Sequence, residues 1–168
     1  MQYPRDQEWI EQWVETWGDN MTRLAFLITR NRDTASDAVQ EAFIRLYQRH
    51  QEDPAANISV GWLYAVTRNL ARDARRKQRR RPQTFPLDTE ELTGAAFEAS
   101  LVARMDVTRT LQRLSATDRE CLWLYYYAGL STPQIAEALN VSADGIRARL
   151  HRARRRFFTM WEDESHDG

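Results

Sequence analysis

The break at Arg81-Pro82 is the feature that most constrains what this chain can fold into. Proline has no backbone N–H and pushes the residue before it out of helical geometry, so a helix ends there. Pro86 follows, and from 82 to 100 the apolar periodicity fades among acids, small residues and Gly94. That composition reads as a linker. On either side of it the apolar spacing is helical, and strand-like alternation is absent. The expected fold is therefore all-α. Two small helical domains, residues 1–81 and 105–168, are joined by a flexible linker at 82–104, and the second domain is a helix-turn-helix.

Four helices are expected before the break. Trp9, Trp13, Val14 and Trp17 share one face of the first. Gly18-Asp19-Asn20 interrupts the pattern and can cap a second helix carrying Leu24, Leu27 and Ile28. Residues 36–49 form a third, with Val39, Phe43, Leu46 and Tyr47 inward. Its other side groups Asp37, Gln40, Glu41, Ile44 and Gln48. Acids around one apolar residue suit a protein-binding surface, and they equally suit a solvated face. The stretch 50–59, with Pro54 and Asn57, reads as a loop.

Residues 60–80 form the fourth helix. At roughly 100° per residue it separates into three stripes. Leu63, Val66, Leu70 and Ala74 form the expected core stripe. Arg68, Arg72, Arg75 and Arg79 line up as cations suited to a phosphate backbone. Trp62, Asn69, Asp73 and Arg76 lie between them. An aromatic ring and an amide beside cations can stack on and hydrogen-bond unpaired bases. Trp62 fits a core position as well.

After the linker, helical spacing resumes near Leu101 and runs through Leu111 and Leu114. Ser115 and Asp118 resemble a capping arrangement for the next helix, which Gly129 closes. Residues 131–157 have a helix-turn-helix pattern. Ser131 or Thr132 caps the first helix, Pro133 sits where an early proline is tolerated, and Ile135, Ala136 and Leu139 face inward. Asn140-Val141-Ser142 makes the turn, with Val141 as an inward plug. Ile146, Leu150, Ala153 and Phe157 form the buried stripe of the second helix. Its other faces carry Arg147, Arg149, His151, Arg152, Arg154, Arg155 and Arg156. Such a helix can enter a major groove, with arginine pairing to guanine edges and to phosphates. The competing reading is a helical hairpin with a solvated arginine face.

Charge agrees with two nucleic-acid contacts. The chain has 24 basic and 24 acidic residues, a net charge of zero that hides a segregated pattern. Arg68 to Arg81 holds eight basic residues and one acid, and Arg147 to Arg156 holds six arginines and no acid. A single cysteine, Cys121, and three scattered histidines exclude a disulfide framework and leave no metal cluster to expect. Nucleophile–base pairs and glycine-rich phosphate loops are absent from the sequence, so neither an enzyme nor a cofactor is expected. The N-terminus has no signal pattern and no apolar run is long enough to span a bilayer. The expected location is cytoplasmic, without direct membrane insertion.

Three segments in order resemble one family. DTASDAVQEAFIRLYQ (33–48) resembles the core-polymerase-binding motif of extracytoplasmic-function sigma factors, within the sigma-seventy family. VGWLYAVTRNLARDARRKQRRR (60–81) resembles their promoter-melting segment. LSATDRECLWLYYYAGLSTPQIAEALNVSADGIRARLHRARRRF (114–157) resembles their minus-35-reading domain. The resemblance implies a transcription initiation factor. Asp37, Gln40, Glu41 and Ile44 would face the clamp helices of the polymerase's largest subunit, and the polymerase's flap would be a further contact. Asn69 would capture a flipped base of the minus-10 element, with the 50–59 loop as the lip of the pocket. Trp62, Arg68, Arg72, Arg75, Arg76 and Arg79 would surround it. Arg147, Ala148, Arg149, His151 and Arg152 would meet the minus-35 duplex. The linker would thread the polymerase channel, and an anti-sigma factor would cover these surfaces.

Three positions depart from the family pattern. Gly145 stands where threonine is usual, which implies a weaker start to the recognition helix. Ala148 replaces a frequent serine, and Ala65 a frequent arginine. Two other classes remain open on the residues alone: a stand-alone helix-turn-helix regulator and a nucleic-acid-processing enzyme with a helix-turn-helix appendage.

Overall fold

A computed structural model describes residues 3–80 and 101–166, with side chains for 7–80 and 107–163. The chain divides into two compact units, Met1–Thr89 and Glu90–Gly168. Every regular element among the described residues is helical. The expected linker falls mostly outside the described residues, and its last positions, 101–104, belong to a helix.

Unit 1 is three helices that pack pairwise: α1 (Tyr3–Thr29), α2 (Arg32–Glu52) and α3 (Val60–Arg80). The expected break at Gly18-Asp19-Asn20 does not occur; α1 runs through it for 27 residues. A glycine inside a helix costs about 1 kcal/mol, which packing readily offsets. Here Met21, Leu24, Ala25 and Ile28 after the glycine are all buried. Thr22 also returns its hydroxyl to the Gly18 carbonyl at 2.9 Å. The chain turns instead at Arg30, which takes a left-handed φ of 54°. Asn31 then caps α2 by accepting the Thr34 N–H at 2.9 Å. The loop before α3 is shorter than expected, because α2 continues to Glu52. Asp53 pins its start by accepting the Ala55 N–H at 3.1 Å, and Ser59 closes it by accepting the Trp62 N–H at 3.1 Å.

The core of unit 1 holds Met21, Leu24, Leu46, Leu63 and Tyr64, each fully buried. Burial pushes the Tyr64 phenol up to about 12, with the Asn20 side chain acting in the opposite sense. The expected inward stripe of α3 is rotated. Leu63 is buried, but Val66, Leu70 and Ala74 are half-buried, while Tyr64, Thr67, Arg68 and Ala71 complete the core face. The shift is roughly 90° around the helix. Its cause is that α3 lies against both α1 and α2, so the buried arc is set by two neighbours rather than by the apolar residues alone. Phe43 and Tyr47 of α2 and Trp9, Trp13 and Trp17 of α1 are likewise half-buried, and Val14 is exposed.

Unit 2 comprises α4 (Leu101–Arg113), α5 (Ala116–Leu122), a π-helical turn at Trp123–Tyr127, α6 (Thr132–Leu139) and α7 (Ala143–His166). Arg119 joins the first two. It is 8% exposed, and its guanidinium donates to the carbonyls of Leu111, Gln112 and Leu114 at 3.0, 3.1 and 3.1 Å. These carbonyls lie at the end of a helix, where acceptors run short of backbone donors and a cation satisfies them well; Leu111 also accepts from the Leu114 N–H at 3.2 Å. Gly129 has a φ of 69°, where a residue with a Cβ would be strained. Ser131 and Gln134 form a reciprocal capping box on α6. Asn140 ends α6 in the left-handed region, and Ser142 caps α7 by accepting the Gly145 N–H at 3.0 Å. Cys121 is buried, and burial raises its thiol to about 11, so it stays protonated.

Candidate nucleic-acid interface

The recognition helix α7 matches the sequence pattern at its core face: Ile146, Leu150 and Ala153 are buried, and Phe157 is half-buried. Opposite that face stand Ala148, His151, Arg152 and Arg155, all exposed. Arg155 was not singled out among the expected base-contacting positions. Helical spacing alone places it with Arg152, three residues on. The flanks are different. Arg147 pairs with Asp144 in its own first turn. Arg154 donates to the Tyr126 hydroxyl at 3.0 Å. Arg149 and Arg156 turn toward Asp118 on α5, at 3.4 and 2.6 Å. Arg149 is therefore not gathered with the other expected duplex contacts.

The turn preceding α7 explains Gly145. A Cβ there would come within 2.7 Å of Val141 Cγ1 and 3.0 Å of Ser142 Oγ. The glycine lets the half-buried Val141 close against the start of α7, while Ser142 supplies the cap. The expected weakening of this helix start is thus offset by local fit.

On α3 the rotation rearranges the expected site. Arg68 is 8% exposed and belongs to the core wall. Arg72 and Arg75 are half-buried, and Arg75 donates to the Ile28 carbonyl at 3.0 Å, near the C-terminal end of α1. The four-arginine stripe therefore does not form one continuous solvent line. The face that does point away from the core carries Asn69, Asp73 and Arg76, the last two paired with each other. Lys77, Arg79 and Arg80 are exposed or nearly so in the last turn, where cations suit the helix dipole. Trp62 is half-buried, with the Arg49 guanidinium 4.9 Å from its ring centroid. It is neither a sealed core residue nor a bare platform.

The α2 face combines polar and apolar groups. Asp37 and Gln40 are exposed, and Glu41 accepts from Arg45 Nε at 2.8 Å. Ile44 is 50% exposed, although a large aliphatic side chain gains by burial. Beside it runs a groove of about 650 Å³ between α1 and α2, lined by Val14, Val39, Phe43 and Ile44 with Gln40 and Asp19. Val14, expected on one face with Trp9, Trp13 and Trp17, thus lines this surface. Among the described residues no set of three histidine, cysteine or acidic side chains could hold a metal ion. Among them, too, no helix is long and apolar enough to cross a membrane.

Comparison with known proteins follows the same division. Residues 13–81 match the Sigma-70 region 2 family model, and residues 104–157 match Sigma-70, region 4. The ECF RNA polymerase sigma factor SigL of Mycobacterium tuberculosis is 34% identical over 137 residues, covering 78% of this chain and 76% of that protein. The probable RNA polymerase sigma factor RfaY of Xanthomonas campestris pv. campestris is also 34% identical, over 144 residues. That alignment covers 81% of this chain but 36% of the longer relative. The sigma factor RpoE from Bartonella quintana, solved in complex with the anti-sigma factor NepR, has the same fold. Its TM-score is 0.71 at 20% identity, over 90% of this chain and 96% of that one. Two region models in the right order, and a relative matched over most of both chains, lead to one conclusion: the chain belongs to the extracytoplasmic-function group of sigma-70 family RNA polymerase sigma factors.

Proposed function

We propose that this chain docks on core RNA polymerase through unit 1 and directs initiation by reading two promoter elements, one with each unit. The exposed Ile44, set among Asp37, Gln40 and Glu41 beside the α1–α2 groove, is the docking surface for the clamp helices of the largest subunit. On α3, Asn69 takes an unstacked minus-10 base, with Trp62, its ring covered by the Arg49 guanidinium, alongside. Flipping a base costs a few kcal/mol, which hydrogen bonds and stacking in the pocket offset. Arg76, Arg79 and their neighbours meet the phosphates of the melted strand. The outward face of α7 reads the minus-35 duplex through Arg147, Ala148, His151 and Arg152, with Arg155 on phosphate. The chain makes and breaks no covalent bond in this scheme. It works in the cytoplasm, and an anti-sigma factor holds it inactive by covering these surfaces.

The observation that carries the reading is Asn69. It stands directly opposite the core on α3, in the same unit as an exposed apolar and acidic patch. A stand-alone duplex-binding regulator has no use for either feature. Co-purification with core polymerase, followed by run-off transcription on promoters selected from a random library, tests the proposal. The expected result is a stable complex and discrete starts. Tight specific duplex binding without polymerase would favour the regulator reading instead.

A further inference from the structure

Asp118 is an unusual residue for a helix surface: a carboxylate 3% exposed, on the third residue of α5. Its N–H donates to the Ser115 hydroxyl at 3.2 Å, so its backbone completes half of a capping box. Its carboxylate does not turn back to finish that box. It faces α7 and accepts from two arginines, Arg149 at 3.4 Å and Arg156 at 2.6 Å. These are seven residues apart, two turns along one flank of the helix. A buried carboxylate lacking partners would be costly, and here two cations satisfy it. The Arg149 Nε is itself buried with no hydrogen-bond partner, which shows how far this side chain has been drawn in. On the other flank Arg147 and Arg154 are held by Asp144 and Tyr126.

We propose that Asp118 is a positioning residue for sequence reading: its buried carboxylate withholds Arg149 and Arg156 from DNA and fixes which face of α7 meets the groove. This rests on α7 being the duplex-reading helix. Cations along the edge of a recognition helix take phosphates on any sequence and add affinity without information. Drawing two of them onto Asp118 lowers sequence-independent binding. The face left to the duplex carries Ala148, His151 and Arg152 toward the bases, with Arg155 on phosphate. Six arginines between 147 and 156 thus do not mean six contacts to DNA.

The test uses holoenzyme reconstituted with the full chain, and a short random-sequence DNA duplex as the probe. The readout is the slope of log affinity against log salt between about 50 and 200 mM, which changes by about 0.9 for each duplex phosphate neutralised. Asp118→Asn keeps the shape and removes the charge. It should steepen the slope by about 0.9 to 1.8 as one or both arginines reach phosphate, and Asp118→Glu should restore the wild-type slope. A loss of packing alone would not steepen it. Arg155→Gln should flatten the slope by about 0.9, whereas Arg156→Gln, one residue further, should leave it unchanged. An unchanged or flatter slope in a folded Asp118→Asn protein overturns the proposal. So does an Arg156→Gln slope as flat as that of Arg155→Gln, and this pair decides even where Asp118→Asn fails to fold. If Arg152→Ala and Arg155→Gln also leave the slope unchanged, α7 does not read the duplex, and the wider reading falls with the proposal. If those two flatten it while Asp118→Asn does not steepen it, the positioning role alone fails.

Discussion

The two arginine-rich helices look alike in sequence and behave differently in the fold. On α7 the buried stripe lies where the apolar residues put it, and arginines that leave the outward face are tied by acids or a hydroxyl. On α3 the buried arc is displaced, and arginines themselves become part of the framework: Arg68 in the core wall and Arg75 on the carbonyl of Ile28. The difference comes from surroundings. Helix α3 lies against α1 and α2, both long, so its stems are covered from two sides. Long arginine side chains tolerate this because the methylenes pack while the guanidinium finds oxygen. An arginine's position in an amphipathic pattern therefore says little about whether it serves the fold or the nucleic acid. Its hydrogen-bond acceptor decides.

Removing a framework arginine gives the largest effect. Arg119→Ala leaves the carbonyls of Leu111, Gln112 and Leu114 without their shared donor inside unit 2. Unit 2 should lose about 3 kcal/mol of stability: Leu111 keeps the Leu114 N–H, but Gln112 and Leu114 each lose a hydrogen bond from a charged donor, which contributes roughly 1.5 kcal/mol or more. Amide hydrogen exchange along α4 and α5 of the intact chain in urea measures it. A loss below about 1 kcal/mol would mean that water replaces the guanidinium, and that Arg119 is no more structural than Arg155.

Next in size is Asn69→Ala on the outward face of α3. Promoter opening should fall about 30-fold, equivalent to roughly 2 kcal/mol, because the captured base loses its hydrogen-bonding partner. Core-polymerase binding should hold. Permanganate reactivity of the melted region and a pull-down with core polymerase report the two separately. Equal losses in both would place Asn69 in the framework class instead.

Arg75 and Arg79 divide the same stripe more finely. Arg75→Ala should cost unit 1 about 1 kcal/mol through the lost bond to Ile28, and it should leave the salt dependence of open-complex formation alone. Arg79→Ala should do the reverse. It should change stability by less than about 0.5 kcal/mol and reduce the salt slope by about 0.7, the value for one single-strand phosphate. Chemical unfolding and salt-titrated footprinting on the two variants give a crossed pattern. If both variants act on the same measurement, the division by acceptor is wrong.

Local chemistry was readable from the residues, and long-range pairing was not. The caps at Ser131 and Ser142, the turn at Asn140 and the stripe Ile146, Leu150, Ala153 all follow from spacing within one or two turns. The whole helix-turn-helix was therefore legible. Gly18 misled because a local helix breaker is weaker than the burial of Met21, Leu24 and Ile28 behind it. The rotation of α3 was hidden because its buried arc depends on where α1 and α2 lie. Asp118 and Arg156 are 38 residues apart, with nothing in either segment to announce the pair. For the same reason the shared face of Trp9, Trp13, Val14 and Trp17 did not show that Val14 lies 45% exposed on the groove while the tryptophans are half-buried.

The smallest effect tests how tightly α7 is seated. Relieving a glycine inside a helix is worth about 1 kcal/mol, so Gly145→Ala should stabilise the start of the recognition helix on propensity alone. The added Cβ, however, would lie 2.7 Å from Val141 Cγ1. Val141 must then leave its rotamer, at a cost of about 0.5 to 1.5 kcal/mol. The two terms nearly cancel, and the single variant should lie within about 0.5 kcal/mol of wild type. Truncating the neighbour separates them. In a Val141→Ala background only the milder 3.0 Å approach to Ser142 Oγ remains, and Gly145→Ala should recover most of its gain of about 1 kcal/mol. A coupling of about 1 kcal/mol across this double-mutant cycle, read by thermal unfolding, means that the turn and the helix were fitted to each other. Additive effects would mean that Val141 moves freely, and that α7 is seated by its buried stripe, Ile146, Leu150 and Ala153, rather than by the turn before it.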